Sequence, residues 1–178
     1  MTLRHAQDSR DHDAPVQTMW QGKYIAALKR GRWEYVSRTG SHDAVVILAE
    51  HEDKVILIEQ YRVPVGGRCL ELPAGLVGDE DEHATVEDTA IKELEEETGF
   101  TCECVERIGT FHSSPGMVAE SFTLVRAHGV RKIGDGGGTH EEDIEVFLVP
   151  RDEVPAFVES RRAAGSAVDV KLLLFVNS

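Results

Sequence analysis

Residues 85–100 read TVEDTAIKELEEETGF, and this stretch decides how the rest of the chain is read. Thr85 followed by Asp88 makes a capping-box-like start, and Gly99 is a natural stop. Val86, Ala90 and Leu94 recur every four residues with Ile91 beside them, which predicts a helix over Thr85–Thr98 with one apolar stripe. On the same rod Glu93 and Glu97 are spaced i,i+4 and Glu93 and Glu96 i,i+3, so three carboxylates share a face. Like charges at these spacings destabilise a helix by about 0.2–0.5 kcal/mol per pair. They also crowd the last turns, where the macrodipole disfavours anions, and Lys92 relieves little of this. A divalent cation against that face would reconcile the arrangement, and hard oxygen ligands favour Mg²⁺ or Mn²⁺ over zinc. A solvated acidic face is the commoner explanation of such a cluster taken alone.

Working outward, Ala44–Ala49 (AVVILA) is a continuous apolar run, as expected of a strand buried on both sides. Val55–Glu59 and Cys69–Leu72 read as strands separated by Pro64 and Gly66-Gly67, and Pro73-Ala74-Gly75 reads as a sharp end. Further strands are predicted at Val105–Phe111, Ser121–Ala127 and Ile144–Val149, with helices at Arg151–Ala164 and Asp169–Val176. Gly134–Gly138 (GDGGG) reads as a flexible loop. Tyr24–Arg38, broken at Arg30-Gly31-Arg32, reads as a hairpin with Trp33 and Tyr35 on one face. The class is mixed α/β: a mobile tail over 1–15, an N-terminal β subdomain over 16–40 and the main domain over 41–178.

The 178 residues carry 19 Lys and Arg against 32 Asp and Glu, a net charge of −13. Such a surface repels nucleic acids and anionic membranes. A small anionic substrate needs cations or a local Arg cluster to reverse the field. Cys69, Cys102 and Cys104 are too few for a disulfide framework; the last two are expected on one strand face in a reducing compartment. The histidines are scattered and suggest no zinc site. No run reaches membrane-spanning length and no signal-peptide core stands at the start, so a soluble, cytoplasmic protein is expected.

ELPAG (71–75) followed by KELEEETGF (92–100) resembles the Nudix hydrolase box, written G-x5-E-x7-R-E-U-x-E-E-x-G-U with U a bulky apolar residue. Glu93, Leu94, Glu96, Glu97, Gly99 and Phe100 stand at the required spacing. Lys92 replaces the family's Arg, and Gly75 to Lys92 is 17 positions against the pattern's 14. Three inserted residues within Gly78–His83 keep ELPAG aligned; counted back without a gap, the box Gly becomes Gly78 and its first Glu becomes Ala84. With the insertion that first Glu is Glu82, or else Glu80 or Asp81. In the family it pairs with the box Arg, and Lys92 lacks the bidentate fork.

GKY (22–24), RWEYVSR (32–38), EQYRVPVGGRCLELPAGL (59–76), SPGMVAES (114–121) and EEDIEV (141–146) are similar to the ADP-ribose and ADP-sugar pyrophosphatase branch. That resemblance implies an α/β/α sandwich with an N-terminal β subdomain for dimerisation and base recognition, in a homodimer that is usually domain-swapped. It implies Mg²⁺-dependent hydrolysis of a nucleoside diphosphate sugar, foremost ADP-ribose to AMP and ribose 5-phosphate, with Mn²⁺ as a substitute ion. By the same resemblance Glu93, Glu96, Glu97 and the Ala74 carbonyl hold the metal, with Glu96 also counted as catalytic. Tyr24 and Trp33 would sandwich the adenine, Arg38 and Arg62 would reach phosphates or the terminal ribose, and Leu76 would line the pocket. Glu142 would be the general base, with Glu141 the alternative, on the glycine-rich loop that precedes them. Gly75, Glu82, Lys92 and Gly99 would shape the box. GDP-mannose, ADP-glucose, NADH and dinucleoside polyphosphates remain alternative substrates, and a catalytically silent nucleotide sensor is the reading from another class.

Overall fold

The structure, a computed structural model, describes residues 11–40, 43–79, 81, 83–139 and 142–176, apart from the side chain of Val176. Glu80, Glu82, His140 and Glu141 therefore lie outside the described residues. The chain divides into two compact units, one of residues 1–42 and 112–121, the other of 43–111 and 122–178.

The smaller unit is an antiparallel meander of β1 (Val16–Gln21), β2 (Ile25–Arg30) and β3 (Trp33–Arg38). The turn falls at Gly31, so Arg30 pairs with Trp33 and Ile25 with Arg38. Of the tail expected over 1–15, residues 1–10 lie outside the described residues. Asp11 is buried, and its carboxylate accepts from the Arg32 backbone N–H at 3.3 Å and from Arg32 Nε at 3.0 Å. Segment 112–121, assigned from sequence to the main domain, clusters with this meander instead. Val36 explains why: its N–H donates to Met117 O at 2.9 Å, and its carbonyl accepts from Ala119 N at 2.9 Å.

The larger unit carries β4 (Ala44–Leu48), β5 (Glu50–His51), β6 (Lys54–Arg62), β7 (Gly67–Glu71) and β8 (Ala74–Leu76). Helix α1 (Val86–Thr98) follows, then β9 (Phe100–Thr101), β10 (Cys104–His112), β11 (Ser121–His128), β12 (Arg131–Lys132) and β13 (Glu145–Pro150). The chain closes with α2 (Val154–Ala163), β14 (Ala167–Val168) and α3 (Leu173–Val176). One sheet runs β10-β11-β4-β8, a second β13-β6-β7-β14 with β5 on β6, and β9 pairs with β12.

Pleating explains the uninterrupted AVVILA run. Val45, Ile47 and Ala49 join Ile56, Phe100 and Val125 in a core against Ala90 and Leu94 of α1. Val46 and Leu48 point the other way, into a core with Leu70, Leu72, Val154, Val158 and Phe175 of the α2 and α3 side. Alternate residues of one strand thus feed opposite helical layers, the mixed α/β sandwich expected. β7 ends at Glu71, the sharp end expected before Pro73, and Ala74–Leu76 then forms the separate strand β8 opposite Val46, Val45 and Ala44. One local reading fails. Cys102 and Cys104 do not share a strand face, because the chain breaks between β9 and β10; Cys102 is buried and Cys104 exposed. Among the described residues no helix is long and apolar enough to cross a membrane.

Candidate active site

Helix α1 is clamped at both ends. The Thr85 hydroxyl accepts from Asp88 N at 3.1 Å, and the Asp88 carboxylate accepts from Thr85 N at 3.2 Å. At the far end Gly99, with φ +73°, donates to Glu95 O at 2.9 Å. Ala90 and Leu94 are fully buried, and this apolar stripe sets the rotation of the helix. That rotation carries Glu97 inward, leaving it only 4% exposed, while Glu96 stays partly exposed with Lys92 Nζ 3.7 Å away.

ELPAG is packed directly on these carboxylates. Glu97 Oε2 accepts from the Ala74 backbone N–H at 2.9 Å. Gly75 is needed for a steric reason, since a Cβ there would overlap the Glu93 carboxylate. Leu76, with Gly78, Asp79, Asp81, Lys92 and Glu93, lines a cleft of about 330 Å³.

Arg62 and Glu71 supply a feature that the sequence reading missed. Arg62 Nε donates to Glu71 Oε1 at 2.8 Å, and Nη2 to Oε2 at 2.7 Å. Glu71 is 6% exposed, so this is a fork-to-fork pair at the edge of the core. The pairing holds Arg62 above its ordinary pKa, against the cost of desolvation, and the Glu97 charge adds to it. The Arg62 fork expected to reach substrate is thus engaged by Glu71, with the side chain still partly exposed. Strand pairing gave no signal for it, since Arg62 lies opposite Gly67 and Glu71 opposite Ile58.

The glycine-rich segment is irregular, as a loop is expected to be, and its backbone is hydrogen-bonded to the end of α1. Gly137 N donates to Glu97 O at 2.9 Å and Gly138 N to Glu96 O at 3.0 Å, while Ile133 N and Gly134 N both donate to Gly99 O. The last carbonyls of a helix need donors from outside it, and this segment provides them. Beyond it, Glu142 accepts from Thr139 N at 3.0 Å and from Thr139 Oγ1 at 3.2 Å.

Burial pushes the Glu97 carboxyl up. The Ala74 hydrogen bond opposes this, the Glu93 and Glu142 charges add to the rise, and the result is about 8. Glu97 is buried, Glu93 half-buried and Glu142 exposed, and the charges of the last two act on the first. Among the described residues no group of three or more His, Cys, Asp or Glu side chains is placed to hold a metal ion. The chemistry of the donors, not their geometry, is what suits a hard dication. They are all oxygen, and they are held by β8, α1 and the segment leading to Glu142.

In the smaller unit, Trp33 is 54% exposed and lines a cleft of about 310 Å³ with Asp11, His12, Arg30, Tyr35 and Pro115. Tyr24 is 67% exposed, with Lys23 Nζ 4.7 Å from its ring centroid. The two aromatic residues are not brought together. Tyr24 O accepts from Thr39 N at one end of the hairpin, while Trp33 pairs with Arg30 at the other. Six residues of strand separate them, roughly 20 Å. Arg38 is ion-paired with Glu120, which sequence reading quoted within SPGMVAES but gave no role.

Comparison with known proteins adds the following. The NUDIX domain family matches residues 40–167. The methanol dehydrogenase activator of Bacillus methanolicus is 35% identical over 119 residues, 66% of this chain and 62% of that protein. The chain thus spans less than two thirds of that relative. The ADP-ribose pyrophosphatase of Bacillus subtilis is 34% identical over 137 residues, 75% of this chain and 70% of the relative. A crystal structure of an ADP compounds hydrolase shares the fold with a TM-score of 0.69 at 20% identity, covering 91% of this chain and 89% of its own.

Proposed function

This chain belongs to the Nudix hydrolase family, whose members generally use a divalent metal, and on that footing we propose that it hydrolyses the diphosphate bond of a nucleoside diphosphate sugar, ADP-ribose first among candidates. The observation that carries the reading is Glu97. It is a carboxylate bound to the Ala74 N–H and pushed up to about 8 by burial first, with the Glu93 and Glu142 charges adding to the rise. A protein gains nothing in stability from such a cluster unless something cationic fills it. Glu93, Glu96, Glu97 and the Ala74 carbonyl would hold Mg²⁺. When bound, the ion would offset the charge of the diphosphate and polarise phosphorus.

The residues of the chain supply the remainder. Glu142 accepts the proton of the attacking water as the new P–O bond forms and the bridging P–O bond breaks. The bridging oxygen leaves with the second phosphate, so ADP-ribose and water give AMP and ribose 5-phosphate. Arg62, positioned by Glu71, presents positive charge beside the acidic group. The choice of ADP-ribose is supported by the name of the Bacillus subtilis relative.

The aromatic pair bears on assembly. With Tyr24 and Trp33 roughly 20 Å apart along one hairpin, a base stacked between them takes one ring from each of two copies. A homodimer is the arrangement this supports. The test is AMP or GMP release measured by chromatography for ADP-ribose, ADP-glucose, GDP-mannose and NADH with Mg²⁺, beside light scattering for mass. Activity confined to GDP-mannose would replace the substrate, and no activity on any with intact Glu97 would favour a sensor.

A further inference from the structure

The segment after β12 makes an unusual contact with α1. Gly99 and Gly136 interlock backbone to backbone. A Cβ on Gly136 would overlap the Thr98 carbonyl carbon and stand 2.6 Å from Gly99 N, and one on Gly99 would overlap Gly134 O. Both take positive φ, +73° and +70°, where side chains are strained in any case. Next to this lock, the N–H groups of Gly137 and Gly138 cap the carbonyls of Glu97 and Glu96. The chain then turns back, with Ile144 N donating to Gly137 O at 3.3 Å. Glu142 lies inside that turn: a Cβ on Gly138 would be 2.8 Å from the Glu142 Cβ.

The far side of the segment is tied more weakly. Asp143 accepts from Arg68 Nη1 at 3.0 Å, but its carboxylate is almost fully exposed. Exposed pairs of this kind contribute little. The fixed end is therefore the glycine end, where backbone groups meet and no side chain can yield.

We propose that Gly134–Gly138 is a clasp that registers Glu142 against the Glu96–Glu97 turn of α1, with Gly136 as its positioning residue. The same two carbonyls that the clasp caps belong to the acidic residues of the site, so the metal-side carboxylates and the turn carrying Glu142 are anchored at one helix end. The inference rests on the proposed role of Glu142 and deepens it.

The experiment is a double-mutant cycle on the full chain, Gly136→Ala and Glu142→Gln singly and together. It reads kcat and KM with Mg²⁺ on the fastest substrate of the panel above, and amide hydrogen exchange over 133–144. Gly136→Ala is expected to lower kcat by about 10²-fold. KM should stay within about two-fold, because binding groups are untouched. Protection at Gly137 and Gly138 should fall, and Gly136→Ala should add nothing to Glu142→Gln. Lost protection with kcat retained overturns the proposal, as does an equal loss in both backgrounds. Full turnover in Glu142→Gln overturns the base assignment beneath it. Full turnover in Gly136→Ala alongside an inactive Glu142→Gln overturns the clasp alone. If Gly136→Ala does not fold, Gly137→Ala replaces it. Its Cβ meets nothing nearer than 3.8 Å and brings only the strain of φ +104°.

Discussion

Replacing Glu97 with Gln in the metal-free protein separates the charge of the acidic group from its packing. Gln keeps the shape, and its amide oxygen can still accept the Ala74 N–H that Glu97 accepts at 2.9 Å. In the folded chain the Glu97 carboxyl titrates at about 8, against an ordinary 4.5. Between those two values the folded state holds a proton that the unfolded state has released. The stability this provides is complete below about 4.5 and is lost as pH rises through about 8. Each pH unit in the window is worth about 1.4 kcal/mol, so the step from pH 5.5 to 8.0 has a ceiling of about 3.5 kcal/mol. Local relaxation lowers this to about 2–3 kcal/mol. Urea unfolding in EDTA at the two pH values is the assay, and every other charge in the chain is common to both proteins. The wild type should therefore lose about 2–3 kcal/mol more than Glu97→Gln over this range. Added Mg²⁺ should restore the wild type at pH 8.0 and leave the variant unmoved. Parallel pH dependences in EDTA would refute the reasoning, since they would mean Glu97 is not held against its own ionisation.

Glu142→Gln should reduce kcat by about 10²–10⁴-fold, with Glu141→Gln milder; steady-state kinetics decide, and the reverse ranking moves the base by one residue. Arg62→Ala strands the buried Glu71 carboxylate and should destabilise by about 1–3 kcal/mol in urea melts, with Arg62→Lys recovering only part because it lacks the fork. Gly75→Ala forces the Glu93 carboxylate aside and should weaken Mn²⁺ binding, read by electron paramagnetic resonance, while the circular dichroism spectrum stays unchanged.

Sequence periodicity located the helix and its caps because those are local properties. Thr85 needs only Asp88, and the stripe needs only residues three and four apart. AVVILA was legible as buried on both sides for a similar reason. What the sequence hid was mostly non-local. A run such as Gly134–Gly138 has the same composition whether it is slack or pressed against a helix end; the difference lies in Thr98 and Gly99, more than thirty residues earlier. Arg62 lies opposite Gly67 and Glu71 opposite Ile58, so the pair forms by side chains reaching along the β6–β7 ladder, which strand pairing alone does not reveal. Tyr24 and Trp33 look close in sequence, yet the hairpin that joins them sends them to opposite ends.

The arrangement of α1 explains why one short element can serve both the core and the site. Leu94 lies between Glu93 and Glu97 in sequence and is wholly buried among Ile47, Phe100 and Val125. A helix free to rotate would turn its carboxylates outward, where like charges separate into water at little cost. Rotation here would first drag Leu94 and Ala90 from the core, at about 1.5–3 kcal/mol for the leucine alone. It would also break the Ala74–Glu97 hydrogen bond and the two glycine caps on Glu96 and Glu97. Hydrophobic burial thus holds the acidic face in place against its own repulsion. The opposing charge that relieves that repulsion can come from outside the chain, which is what a site for a dication and a diphosphate requires.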